Sequence, residues 1–311
     1  TVTYFLRGAL LWVAAFFLIY VTLSIGVASA WQFLNRRATA WNASFLYGLR
    51  ALPFAAAVAV VVFLVLPSFL FLEPYQTGER IGVLGLGLAC GGIVVLGFGA
   101  VSAIWALRKT DRFLASYPEK RSRQLDKSQV VEIATATPML LVAGICRPKL
   151  LISEQAVRLL DEGETQVAIR HELAHVSFHD NFKKLTLRAA KFPFLSGLEQ
   201  SWMHAAEVAA DDAAVTDESS ALDLASALLK IAAQTSVGQM PDLATSLVPD
   251  RGRDEALRAR IERLMAWQSR PASSRRRQPS ALFISSGLVL LAVCYGPLLR
   301  HVHELSELFI R

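Results

Sequence analysis

The sequence predicts a mainly α membrane protein: four membrane-spanning helices, with one α+β domain inserted before the last of them. Three observations predict it. Residues 8–35, 51–72, 81–107 and 278–299 each lack Lys, Arg, Asp and Glu altogether, and about 20 such residues cross the hydrocarbon of a bilayer as a helix. The chain's positive mean hydropathy of +0.39 is concentrated in those stretches. Between the third and the fourth lies a charged segment, 108–280, with short β-branched runs and the motif His171-Glu172-Leu173-Ala174-His175. The expected layout is three spans in 1–107 (about 5–34, 51–72 and 81–107) and a domain in 108–280. A fourth span follows at 281–300, then a short tail at 301–311.

The first span is too long for the apolar core of a signal peptide, so it is expected to remain as a membrane helix. Trp12 and Trp31 stand near its ends, where aromatic side chains favour the membrane–water boundary. The second span holds Pro53 and Pro67, which are tolerable near helix ends. The third is glycine-rich, with Gly85, Gly91, Gly92 and Gly99 among others, and close backbone approach predicts a central packing position for it. Basic residues gather at Arg36, Arg37 and Arg50, at Arg108 to Lys127, and at Arg270 to Arg277. Their placement puts segment 108–280 and the first loop on the cytoplasmic side of a bacterial-type plasma membrane, with both termini outside. The net charge of +6 is thereby explained by anchoring to membrane lipids, and direct nucleic-acid binding is not expected.

Within the domain, Val130 to Ala134, Met139–Val142 and Lys149–Ile152 read as strands, with Pro138 and Pro148 marking breaks or an edge. An edge strand can accept an extended peptide as one more strand. Ser153 is expected to cap a helix to about Leu160, with Gly163 as a break before the next. Leu185 to Trp202 is apolar with basic residues interspersed, which fits either the inner membrane face or a buried helix pair. Residues 234–255 read as a loop, Ala256 to Trp267 as an amphipathic helix, and Gln268–Ser280 as a Ser/Pro/Arg linker. Three cysteines, Cys90, Cys146 and Cys294, make no disulfide framework and no C-x-x-C metal motif.

His171 and His175 are four residues apart, so on a helix their imidazoles converge on one point. Two imidazole nitrogens are two corners of a tetrahedral zinc site, and Glu172 stands where a carboxylate can take the proton of a metal-activated water. His179 lies two turns, roughly 12 Å, beyond His171 and is too distant to share the ion. The third ligand must come from another element. Glu207, on a helix from about Glu199 to Val215, is the favoured candidate, and His204 is its competitor. Asp211, one turn after Glu207, and Asp180 are candidates to orient the ligand imidazoles.

The pattern His171-Glu172-x-x-His175-x-x-x-x-Asp180, followed by Glu207-x-x-Ala210-Asp211, resembles the membrane-embedded gluzincin metallopeptidases. Segment Gly144 to Ser153, Phe192-Pro193 and Arg260-Ile261-Glu262-Arg263-Leu264 are similar to the beta-lactam-sensor (BlaR/MecR-type) family in particular. Those sensors carry a large extracellular domain after the last span, which this sequence does not include. The resemblance implies a zinc endopeptidase that cleaves a cytoplasmic protein, a transcriptional repressor in the family, and that cleaves itself near the linker, here between about Gln268 and Ser285. It also implies that Arg260 stands near the metal, as a candidate donor to the oxyanion. The other role for Arg260 is structural, packing against an acid. Alternative functions are a housekeeping protease of membrane or lipidated proteins, and a non-proteolytic zinc-binding transducer. The expected partners are a protein or peptide substrate and membrane lipids, and a homo-oligomer is compatible with the sequence.

Overall fold

A computed structural model of the chain describes residues 2–35, 41–72, 81–117, 119–125, 128–135, 137–234, 243–246 and 254–267. Near the C-terminus it also describes 296, 297, 299–302 and 304. The linker Gln268–Ser280 lies outside the described residues, as does nearly all of the expected fourth span. The described residues are mostly helical, with one small sheet.

Among the described residues, three helices are long and apolar enough to cross a membrane: Tyr4–Leu34, Ala43–Leu72 and Val83–Ala115. The first lies in α1 (Val2–Leu34). The second is built from α2 (Ala43–Val60), a π turn at Val61–Val65, and α3 (Leu66–Leu72). It starts earlier than the uncharged stretch predicts, because Asn42 caps it with its side-chain oxygen on the N–H of Ser44. The π turn falls just before Pro67, which has no N–H to offer the preceding turn, so the hydrogen-bond ladder widens there. The third candidate span is α4 (Val83–Ala115). Among the three described candidate spans the middle one is α1, which packs against both α2 and α4. The glycine-rich α4 grips it from one side: a Cβ on Gly92 would meet the Val13 carbonyl oxygen at 2.8 Å. Gly87 and Gly97 face open space, so only part of the glycine pattern serves packing.

After α4 come β1 (Glu119–Leu125), β2 (Ser128–Ile133), β3 (Leu140–Ala143) and β4 (Lys149–Ser153). With β5 (Ala244–Ser246) they form one sheet in the order β1-β2-β4-β3-β5. Strands β2 and β4 run parallel, and the other neighbours are antiparallel. Gly144, at φ +97, opens the turn between β3 and β4, a conformation that side chains with a Cβ rarely adopt. Both faces of the sheet are covered. Leu140 and Ile152 face a core shared with Val167, Leu224 and Leu228, while Leu141 and Leu151 face Phe113, Leu114 and Tyr117 at the end of α4.

Helix α5 (Glu154–Leu159) is capped by Ser153, whose hydroxyl accepts the N–H of Ala156. The metal-motif helix α6 (Glu162–Ser177) starts in a capping box between Asp161 and Glu164. Gly163 therefore sits inside its first turn and does not break the chain. Helix α7 (Asp180–Ala189), a short turn at Pro193–Leu195 and α8 (Ser196–Ala214) follow. Leu187, Leu195, Leu198 and Trp202 bury their side chains against Val27, Trp31 and Leu46 of the first two spans. The apolar 185–202 stretch is thus a buried joint between the spans and the domain. Helices α9 (Glu218–Gln234) and α10 (Asp254–Met265) follow. Between them, where a loop is expected, β5 pairs with β3.

Candidate metal centre

Two turns of α6 place His171 and His175 side by side, with their Nε2 atoms 3.3 Å apart. Helix α8 packs across α6 and brings Glu207 to both rings. Its carboxylate oxygens lie 3.6 Å from His171 Nε2 and 3.8 Å from His175 Nε2. One ion at about 2.0–2.1 Å from each of three tetrahedral ligands needs those ligands roughly 3.4 Å from one another. The observed spacings of 3.3, 3.6 and 3.8 Å surround such a position. His171, His175 and Glu207 can therefore hold a metal ion. His204 is not part of this group: it is exposed, on a neighbouring face of α8.

Each imidazole is oriented from behind. His175 Nδ1 lies 2.8 Å from Asp180 Oδ2, and His171 Nδ1 lies 3.0 Å from Asp211 Oδ1. Asp180 reaches back to α6 because His179 between the helices adopts a left-handed conformation, φ 57 and ψ 37, which turns the chain within one residue. Lys183 Nζ donates to the second oxygen of Asp180 at 2.9 Å. Arg260, from α10, donates to both oxygens of Asp211 at 2.8 and 2.7 Å, and its Nη1 lies 3.0 Å from Glu207 Oε2. Its guanidinium is thus engaged with two acids of α8 and stands beside the candidate metal position.

Glu172 is fully buried, and its Oε2 accepts the N–H of Val142 on β3 at 3.2 Å. The Val142 and Gly144 carbonyls accept from Asn181 Nδ2 at 3.3 and 3.1 Å. Strand β3 is thus tied to α6 through Glu172 and to α7 through Asn181. It is not a bare edge, since β5 lies along its other side and Lys184 Nζ donates to the Ala244 carbonyl at 2.6 Å.

The electrostatics fit a cation. Burial works to lower the pKa of His171, but the Asp211 and Glu207 carboxylates outweigh it and raise it to about 9. Burial prevails at His175, which is held below its ordinary value and so remains a neutral donor. Burial opposes ionisation of Glu207, Asp211 and Asp180, yet their basic neighbours keep all three below the usual carboxylate range. Arg260 leads for Glu207 and Asp211, and His175 for Asp180. Asp180, Glu207 and Asp211 all lie within 4 Å of one or both of the two imidazoles, which gathers negative charge where a cation would sit.

The motif pair, Glu207, Asp180 and Asp211 were all legible in the sequence, and the structure brings them together. Val142 and Asn181 were not among the candidates. Their contribution is a main-chain N–H and an amide bridging two elements, which no residue spacing announces. No protein-family model matches this chain, and no curated protein matches it.

Proposed function

We propose that the protein is a membrane-embedded zinc endopeptidase of the gluzincin type. The observation that carries this reading is the convergence of His171, His175 and Glu207 with a buried carboxylate, Glu172, held on the same helix against β3. Two imidazoles and a glutamate form a donor set suited to zinc with one position left for water or substrate. Bound there, zinc supplies Lewis-acid polarisation of a peptide carbonyl and of a water. Glu172 takes the proton of that water and delivers it to the departing amine. Val142 N–H keeps the carboxylate of Glu172 in place, while Asp180 and Asp211 fix the tautomers of the two rings. Arg260 acts as a positioning residue, through Asp211 and Glu207.

An extended peptide reaching this site meets β3 with β5 already paired to it, so productive binding requires β5 to be displaced or the peptide to lie alongside it. The site faces the side of the membrane where α1 ends and α2 begins, which the basic flanks assign to the cytoplasm. The substrate is then a cytoplasmic protein, and the resemblance to the beta-lactam sensors makes a transcriptional repressor the first choice. The self-cleavage expected near Gln268–Ser285 falls outside the described residues. Purified protein should cleave an unfolded reporter with zinc present, and Glu172→Gln should abolish cleavage while retaining the metal. Equal cleavage by both proteins would exclude the assignment of Glu172. Metal retention without cleavage of any reporter or candidate repressor would favour the non-proteolytic transducer.

A further inference from the structure

A cavity of about 610 Å³ lies where α1 ends, α2 begins and α8 crosses them. Its wall on α8 is two adjacent stripes at four-residue spacing, Gln200, His204, Val208 and Asp212 beside the small residues Ser201, Ala205 and Ala209. The opposite wall carries Trp31 and Trp41, from the facing ends of the two spans. Trp41 stacks on Phe45 at 5.2 Å, and its indole Nε1 is buried without a hydrogen-bond acceptor among the described residues. An indole N–H withdrawn from water ordinarily finds a partner. The cavity lies within the range of small-molecule sites, about 300–1,000 Å³.

The place and the chemistry select one kind of occupant. With α1 and α2 spanning a membrane, their ends mark the boundary between hydrocarbon and water, where phospholipid head groups are the abundant solutes. The indole N–H, an N–H of the His204 imidazole and the Gln200 amide can each donate to phosphodiester oxygens. The Asp212 carboxylate and two indole faces suit an ammonium. We propose that this cavity binds the head group of a zwitterionic, ammonium-bearing phospholipid, with its phosphodiester at Trp41 and its ammonium at Asp212. Acyl chains can then follow the exposed apolar side chains beside it, Phe33 and Phe45.

The cavity stripe and the metal stripe of α8 are one residue apart. Glu207 and Asp211 face the metal position, while Val208 and Asp212 face the cavity. Helix α10 holds both stripes at once, with Arg260 on Asp211 and, one turn later, Arg263 on Asp212. A head group that draws Asp212 from Arg263 therefore acts on the helix pair that positions the metal's third ligand. The site does not depend on whether the metal centre hydrolyses peptides.

The test is lipid retention by the full-length protein in detergent, read by native mass spectrometry. Phosphatidylethanolamine, phosphatidylcholine, phosphatidylglycerol and diacylglycerol are each offered as the probe. The two ammonium lipids should be retained about tenfold better than phosphatidylglycerol. The better of the two shows whether the Asp212 hydrogen bond (ethanolamine) or the indole faces (choline) dominate. Asp212→Asn should erase the preference, and Trp41→Phe should weaken every phosphodiester lipid while keeping the ring. Both variants should melt within a few degrees of the parent, which separates lost binding from lost folding. Equal retention of phosphatidylglycerol, retention of diacylglycerol as strong as that of phosphatidylethanolamine, or an unchanged preference in Asp212→Asn would each overturn the proposal.

Discussion

Arg260 and Asp211 form a two-point ion pair in the fully buried interior, at 2.8 and 2.7 Å, between helices 49 residues apart in the chain. Because Asp211 also lies 3.0 Å from His171 Nδ1, the guanidinium on α10 reaches an imidazole of the candidate metal site through one carboxylate. Lys in place of Arg keeps the charge but cannot make the planar two-point contact. Arg260→Lys should therefore weaken metal binding about 10–100-fold, the usual cost of losing an orienting partner. Competition with a chromogenic chelator measures this. Unchanged affinity would show that Asp211 needs no such support.

The identity of the third ligand is tested by a pair of variants. Glu207→Ala should lose most of the bound metal, as read by elemental analysis of purified protein. His204→Ala should keep it, because His204 lies on the cavity stripe of α8. The reverse pattern would transfer the ligand role to His204.

Gly99 tests the joint between the spans and the domain. A Cβ there would stand 2.1 Å from the Ala189 carbonyl oxygen, which is backbone and cannot swing aside. Gly99→Ala should cost about 1–3 kcal/mol of stability, as overpacking does. Gly97→Ala, with nothing within 4 Å, should cost little. Thermal unfolding of the two variants in one detergent compares them directly.

Glu164 supplies a pH dependence. Burial favours its neutral form, but Lys230, Ser226 and the Asp161 N–H outweigh this and hold its pKa below the ordinary 4.5. A carboxylate depressed in the folded state contributes its stability above the unfolded value and loses it as pH falls below that. Unfolding midpoints should therefore drop as pH goes below about 4.5. Glu164→Gln should be less stable at pH 7 and show a flatter decline in acid. A parallel decline in both proteins would remove Glu164 from the explanation.

Cys146, exposed in the turn after β3, is a native reporter of sidedness. A membrane-impermeant maleimide should label it in inverted membrane vesicles and leave it unlabelled in intact cells. Labelling from outside intact cells would reverse the orientation.

The legible parts of the fold are those with a local cause. Uncharged stretches marked the three described spans, Ser153 marked a helix start, and the i, i+4 histidines marked the metal helix. Strand β5 was hidden because three residues, Ala244–Ser246, carry no periodicity; only the partner strand β3 makes them a strand. Strand β1 was hidden by its charge, since Lys120, Arg121 and Arg123 read as a basic membrane flank. The central place of α1 was missed for another reason. Glycines say that a helix can be approached closely, but not that it lies in the middle.

The carbonyl of Ala190 accepts from Tyr20 at 2.8 Å and from Arg50 at 3.0 Å, partners made 170 and 140 residues earlier. At roughly 5–20 residues per second, the ribosome delivers Ala190 on the order of ten seconds or more after both donors. The two helices that carry them, α1 and α2, are therefore made before the α7–α8 corner that they hold. A chain begun after α4 would have to fold with that corner's carbonyl short of two donors and with Leu187, Leu195, Leu198 and Trp202 stripped of their cover. The domain is in this sense completed by the first two helices, and cutting it free of them removes part of its core.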